Sequence, residues 1–126
     1  MIEIGKSMTR QIVIDGSRVI SFMGPELPVY STPSVLNDIE MASRDLLLTM
    51  LEAGQASVGS HVDLSHLEAA VLGGQVEVTV TITGAEKRRI SFEAVVNSAN
   101  RRIATATHQR IIVSVADLKA RIASLV

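Results

Sequence analysis

The longest helical pattern in the chain starts at Thr32 and stops before Gly54. Thr32 offers a hydroxyl N-cap, and Pro33 stands at the first helical position, where its missing N–H donor costs nothing. Apolar residues then recur at every third or fourth position and form a wide stripe: Val35, Leu36, Ile39, Ala42, Leu46, Leu47, Met50 and Leu51. We therefore predict one long helix, buried on most sides, around which a sheet must wrap.

After Gly54 the apolar period changes to the alternation of β-strands. Turn-forming residues divide this half of the chain into four strand-like segments, and they lie at 73–74, 84–87 and 97–100. In the first segment the apolar residues of one parity are assigned to the face that covers the helix: Ala56, Val58, Val62 and Leu64. The pattern predicts four antiparallel strands in sequence order.

The segment before the helix mixes strand and turn signals. Two β-rich runs, 12–14 and 19–22, flank Asp15-Gly16-Ser17, which predicts a hairpin. Residues 24–33 contain all three prolines, so we predict an irregular lid or crossover there.

A hairpin, a long helix and four strands in this order are typical of an α+β fold with one helix against an antiparallel sheet. Ser114 and Asp117 resemble a capping box and predict a short amphipathic helix at the C-terminal end. A length of 126 residues and the lack of internal repeats indicate a single domain over 1–126.

Composition removes several classes of partner. The formal net charge of -1 supplies no field for nucleic acid or an anionic membrane surface, and no apolar run is long enough to cross a bilayer. No secretion signal is recognisable, and the chain has no cysteine. We therefore expect a soluble cytoplasmic protein that binds neither nucleic acid nor a membrane.

Glu40 and Thr32 are the first candidates for chemistry. Glu40 borders the apolar stripe of the helix, where a carboxylate can act as a base or nucleophile, but from chemistry alone a surface residue paired with Arg44 is the more common case. Thr32 has a sufficient structural reason as an N-cap, although the amides at the start of a helix also favour a developing oxyanion.

Among the three histidines, His66 shares the parity of Val62 and Leu64, so its ring is expected to face the helix. A partly buried imidazole can transfer protons near neutral pH, although a hydrogen-bonded core histidine is the alternative. His61 has the opposite parity, and we interpret His108 as structural.

Several of these residues stand in a recognisable spacing: Thr32-Pro33, Glu40, Val58-Gly59-Ser60-His61-Val62, His66, Gly73 and Thr107-His108-Gln109-Arg110. The set resembles the fluoroacetyl-CoA thioesterase-like branch of the hot-dog acyl-CoA thioesterases, over about residues 29–113. The resemblance implies a hot-dog fold, in which an antiparallel sheet of five or six strands wraps around one long helix.

The resemblance also implies hydrolysis of a small acyl-CoA thioester by Thr32, Glu40 and His66. Glu40 would attack the thioester or activate water, His66 would move protons, and Thr32 would orient a partner or the carbonyl. Gly59 and Arg110 match family residues near the substrate, although a solvated strand cation accounts for Arg110 equally well. CoA is then part of the substrate, and no other cofactor and no metal is needed.

The predicted lid departs from the family pattern. Fluoroacetyl-specific members carry aromatic residues there, whereas this sequence has Met23, Glu26 and Leu27, so selectivity for fluoroacetyl-CoA does not follow. We expect an aliphatic pocket for a short acyl group, bordered by Met23, Leu27, Val29 and Leu36.

Helix geometry bears on the oligomeric state. Thr32 and Glu40 are separated by roughly 12 Å along a helix axis, so their side chains cannot touch. If both serve one reaction, the substrate bridges them or two chains share the site. We expect a homodimer with its sites at the interface, or a tetramer built from such dimers.

Two other functions fit the same fold, since fold does not fix function. One is a non-catalytic module that binds acyl-CoA or another small ligand, and the other is a hot-dog hydratase or dehydratase. If CoA is bound, its phosphates could meet cations near the turns, although a solvated charged rim explains these equally well: Lys87, Arg88, Arg89, Arg101 and Arg102.

Overall fold

The computed structural model describes residues 1–126 and contains five strands and two helices. The elements are β1 (Ser7–Val13), α1 (Thr32–Leu48), β2 (Gln55–His66), β3 (Gln75–Glu86), β4 (Arg89–Ser98), β5 (Arg101–Ser114) and α2 (Val115–Ser124). All strands belong to one antiparallel sheet in the order β1-β3-β4-β5-β2. This confirms the α+β prediction, with five strands rather than six. No helix is both long and apolar enough to span a bilayer.

The core lies between α1 and one face of the sheet. The predicted apolar stripe of α1 is buried at Val35, Ile39, Ala42, Leu46 and Leu47. The inward residues of β3 are fully buried, as the alternation predicted: Val76, Val78, Val80 and Ile82. Each large side chain buried in this way contributes roughly 1.5–3 kcal/mol, so this contact fixes where α1 sits on the sheet.

The start of α1 differs from the prediction in one functionally important respect. Ser31, not Thr32, is the N-cap, and its hydroxyl accepts a hydrogen bond from the Ser34 amide at 3.2 Å. The prediction of Thr32 as the cap is therefore wrong, because the preceding serine meets the same need. Thr32 is the first helical residue, and its hydroxyl is left available for another contact.

The predicted N-terminal hairpin is also wrong. β1 pairs with β3, and the chain after it forms a 3-10 turn at Gly16–Arg18 that is capped by Asp15. Val19 makes only an isolated bridge to Tyr30. The predicted turn at Asp15-Gly16-Ser17 is present. The Asp15 carboxylate accepts a hydrogen bond from the Ser17 amide, however, and the chain then leaves the sheet instead of forming a hairpin.

A β-bulge in β2 decides which of its residues face α1. Gly59 pairs with Arg110 and His61 with Gln109, so Ser60 is an extra residue in β2. The bulge reverses the parity of the strand before it. Val58 consequently lies on the outer face and is exposed, contrary to prediction, and the same correction applies to Ala56.

Beyond the bulge the predicted parity holds. Val62, Leu64 and His66 stand opposite the buried inward residues of β5, and directly opposed residues share a face. On the other side of the bulge, Ser57 and Gly59 face α1 instead.

A buried carboxylate joins the segment before α1 to the helix itself. Asp38 is buried on α1 and receives two hydrogen bonds from Arg18, from Nε at 2.9 Å and from Nη2 at 3.0 Å. The Tyr30 hydroxyl donates a third. Burial and this hydrogen bond raise the pKa of Tyr30, so the phenol stays a donor. These three side chains fix the position of the chain segment that leads into Thr32.

We expect Asp38→Asn to lower the free energy of unfolding by about 2–3 kcal/mol, because the substitution leaves the Arg18 guanidinium without its buried counter-charge. Urea denaturation measures the loss. Asp15→Asn is the matched control, since Asp15 pairs with the same arginine from an exposed position and should matter little. Equal effects of the two substitutions would contradict the structural role of Asp38.

Candidate active site

Thr32 and His66 form the first of two polar clusters. The Thr32 hydroxyl and His66 Nδ1 are hydrogen-bonded at 2.8 Å, which brings the start of α1 to the end of β2. The ring of Tyr30 meets the imidazole edge-on, with centroids 6.4 Å apart. His66 Nε2 is buried and has no hydrogen-bond partner. The imidazole therefore has one nitrogen engaged by Thr32, and its other nitrogen has no partner within the chain.

A shallow cavity of about 270 Å³ adjoins this cluster. Val29 and His66 line it, so the structure brings Val29 to the predicted site. Met23 and Leu27 lie in the loop before α1, about half exposed, and line neither this cavity nor the one at Glu40. The prediction that Met23 and Leu27 border the pocket is therefore wrong within one chain, whereas Val29 lies beside His66.

Glu40 belongs to the second cluster. Its carboxylate lies 3.4 Å from Nη1 of Arg110, and about a third of its side chain is exposed. Arg44 pairs with Asp45 instead, so the alternative of a Glu40–Arg44 surface pair is wrong. Glu40 and Leu36 line a cavity of about 410 Å³ together with Ile39, Gly59, Ser60, His61, Val62 and His108.

Arg110 is buried rather than solvated, with only 3% of its side chain exposed. Its Nε donates to the Ser57 hydroxyl at 2.7 Å and its Nη2 to the Ser57 carbonyl at 3.0 Å. Burial lowers the pKa of Arg110, and the charge of Glu40 acts in the opposite direction. The interpretation of Arg110 as a solvated strand cation is therefore wrong. It holds the Glu40 carboxylate from inside the protein.

Arg110 also fixes the tautomer of His108. A guanidinium only donates, so His108 Nε2, at 3.3 Å from Nη1 of Arg110, must be an acceptor. The proton is then on Nδ1, which donates to the His61 carbonyl at 2.8 Å. The ring stacks on Phe92, and its burial lowers the pKa of His108. His108 is thus a neutral wall of the Glu40 cavity, in keeping with the structural role predicted for it.

Gly59 explains how the carboxylate fits. A β-carbon at this position would collide with Oε2 of Glu40, so the hydrogen side chain leaves the space that the carboxylate occupies. The bulge and the glycine together let β2 pass close to α1.

Sequence reasoning missed Ser57 and the connection of His108 to Glu40. The sequence could have indicated that His108 lies beside Arg110, since the two residues share a parity on β5 and therefore a face of the sheet. The pairing of Gly59 with Arg110 could not be predicted, because it depends on the bulge in β2.

The structure brings Thr32 to His66, and Glu40 to Gly59 and Arg110, but it leaves these two clusters separate within the chain. They contact α1 at positions two turns apart, roughly 12 Å along its axis. A fixed carboxylate in one cluster and a hydroxyl–imidazole pair in the other are suited to acid–base or nucleophilic chemistry. No three His, Asp or Glu side chains are grouped so that they could hold a metal ion.

Comparisons with known proteins agree on one family. The model of a family described as fluoroacetyl-CoA-specific thioesterase matches residues 3–116. The fluoroacetyl-CoA thioesterase of Streptantibioticus cattleyicolor is 24% identical over 126 residues, covering 94% of this chain and 91% of that protein.

Two solved structures show the same fold. A thioesterase superfamily member from Thermus thermophilus superposes with a TM-score of 0.91 at 25% identity, covering 99% of this chain and 93% of that one. A variant of the fluoroacetyl-CoA-specific thioesterase FlK, in complex with fluoroacetate and CoA, gives 0.83 at 23% identity, covering 93% and 99%.

The burial of neutral His108 predicts a pH-dependent stability. Its pKa is lowered from the ordinary 6.5, so below that pH the unfolded chain binds a proton that the folded chain does not. Stability is therefore lost as the pH falls from about 6.5 toward the folded-state pKa. We expect His108→Gln to reduce this loss.

Urea unfolding at about pH 7.5 and about pH 5.5 measures the effect, on either side of the ordinary histidine pKa. His61→Gln is the control, because the His61 side chain is exposed. A His108→Gln variant with the same pH dependence as the parent would show that His108 does not contribute.

Proposed function

This chain belongs to the fluoroacetyl-CoA-specific thioesterase family, and we propose that its two polar clusters together hydrolyse the thioester of a small acyl-CoA. The fold is the hot-dog fold of its thioesterase relatives, as the sequence resemblance implied. The observation that carries the proposal is the Glu40 carboxylate, which Arg110 holds at the wall of a cavity. Water and the thioester are converted to a carboxylic acid and the free thiol of CoA.

Each residue has a role that its contacts support. Glu40, fixed by Arg110 on one side and open to the cavity on the other, attacks the thioester carbonyl or removes a proton from the attacking water. His66 donates a proton to the departing sulfur through its free Nε2. Thr32 holds the other ring nitrogen and so orients the imidazole.

The lining of the Glu40 cavity favours a short aliphatic acyl group. Its apolar members are Leu36, Ile39 and Val62, and no aromatic side chain other than histidine lines it. CoA as the second half of the substrate is supported by the FlK variant solved with fluoroacetate and CoA.

A homodimer would unite the two clusters. β2 is an edge of the sheet, so its outward backbone groups are free to pair with a second copy. A two-fold axis near Val62 and Asp63 would align two β2 strands antiparallel, placing Gly59 of one protomer beside His66 of its partner. Glu40 packs against Gly59, and Thr32 binds His66. The carboxylate of one protomer then faces the hydroxyl–imidazole pair of the other.

We expect Glu40→Gln to lower kcat at least about a hundredfold, since an amide is neither a base nor a nucleophile. Release of free thiol from a panel of short acyl-CoAs measures the rate, and circular dichroism checks that the fold is kept. Glu52→Gln, an exposed change just beyond α1, is the control and should leave the rate unchanged. Unchanged turnover in Glu40→Gln would exclude the mechanism, and binding of CoA esters without thiol release by the parent protein would favour a binding module.

A shared site makes a second prediction through complementation. A heterodimer of a Glu40→Gln chain and a His66→Gln chain contains one intact site if each site combines Glu40 and His66 from different protomers. We expect this heterodimer, purified through two different affinity tags, to recover about half the activity of the parent dimer. Each homodimeric variant alone stays inactive and is the control. An inactive heterodimer would show that both residues act within one chain.

A further inference from the structure

The cations of this chain divide into those with partners and those without. Most arginines form a salt bridge or a side-chain hydrogen bond: Arg10, Arg18, Arg44, Arg101, Arg102 and Arg110. Lys87, Arg88 and Arg89 form neither, although they are consecutive. Three adjacent cations that form no salt bridge repel one another and outnumber the single neighbouring carboxylate of Glu86, so an anion bound among them would be stabilised.

Lys87 and Arg88 form the turn between β3 and β4, and Arg89 is the first residue of β4; the three residues are called the cationic turn below. Lys87 adopts a φ of +58°, in the left-handed region where glycine is the ordinary choice. The turn surrounds a depression of about 320 Å³, which is also bordered by Glu86 and Ile111. A cationic hollow of this size at a sheet end is large enough for a phosphate group.

The turn is close to the Glu40 cavity across the sheet. Arg89 pairs with Ile111 of β5, and Ile111 pairs with Val58 of β2. Two strand spacings separate Arg89 from Val58, which is about 10 Å. Arg89, Ile111 and Val58 share the outer face of the sheet, and Gly59, the next residue of the edge strand β2, faces α1 and is a wall of the cavity. The cationic turn therefore lies at the end of the sheet nearer to Glu40 than to His66.

We propose that Lys87, Arg88 and Arg89 bind the phosphate groups of the CoA ester, an inference that rests on the proposed function. The diphosphate and 3′-phosphate of CoA are joined to the thioester by the long pantetheine arm, which can reach from the cavity to this turn. Arginine binds phosphate oxygens in a bidentate manner, and lysine adds a point charge. Arg101 and Arg102 are less suited to bind phosphate. Arg101 already forms a salt bridge with Glu68, and Arg102 donates a hydrogen bond to Asn97.

The test replaces the three cations together by Lys87→Gln, Arg88→Gln and Arg89→Gln. Because phosphate contacts far from the reacting atoms bind substrate and transition state alike, KM for the acyl-CoA should rise about tenfold or more with kcat nearly unchanged. The same acyl group on N-acetylcysteamine carries no phosphate, so its kcat/KM should not change.

A matched control removes three other unpaired, exposed cations by Lys6→Gln, Lys119→Gln and Arg121→Gln. Both triple variants change the net charge equally, so a general electrostatic effect would raise KM in both. An equal rise in the control, an unchanged KM in the turn variant, or an equal loss with the N-acetylcysteamine ester would each overturn the proposal.

Calorimetric binding of CoA separates this proposal from the proposed function. The parent protein should bind CoA more tightly than pantetheine, and the turn variant should lose this difference. If the parent binds CoA in this way but releases no thiol from its esters, the catalytic proposal fails and the phosphate site remains. If the turn variant retains the preference for CoA, the phosphate site is excluded whatever the parent hydrolyses.

Discussion

The arrangement of the candidate site depends on one buried guanidinium. A charge removed from water must be matched by partners around it, or it costs several kcal/mol. Arg110 meets this need with Ser57, Glu40 and His108, each from a different position in the chain. The position of the Glu40 carboxylate and the tautomer of the His108 imidazole follow from that requirement, and the bulge in β2 turns Ser57 toward the guanidinium. Gly59 provides the space in which it is met.

Much of the fold was predictable because it depends on periodicity. The stripe of α1 and the alternation of β3 report burial directly, since each apolar residue there faces one surface only. The helical periodicity also predicted that Glu40 borders the apolar stripe, and the strand alternation predicted the face on which His66 lies. Membership of the thioesterase family was predictable from spacing, which the family match over residues 3–116 confirms.

The wrong predictions share a cause. Hydrophobic periodicity does not reveal which of two neighbouring residues makes a contact, where a strand has an extra residue, or which distant residues pair with a buried charge. Ser31 and Thr32 both carry a hydroxyl that could cap α1. Ser31 is the cap, so the Thr32 hydroxyl is available to bind His66. One extra residue in β2 reversed the face of Val58. Arg110 looked like a surface cation because an arginine in an alternating strand is usually solvated, and its partners come from distant parts of the sequence.

The clamp on Asp38 has a consequence for the loop that precedes α1. Arg18 and Tyr30 both bind this one carboxylate, and the backbone of Ile20 pairs with that of Val29, so the intervening loop is closed at its base. The entropy of closing a loop changes only slowly with its length. The tip can therefore be exchanged, lengthened or made aromatic without displacing the start of α1. The loop and the helix start are thus independent of each other in sequence, because the clamp at the base of the loop fixes the helix start alone.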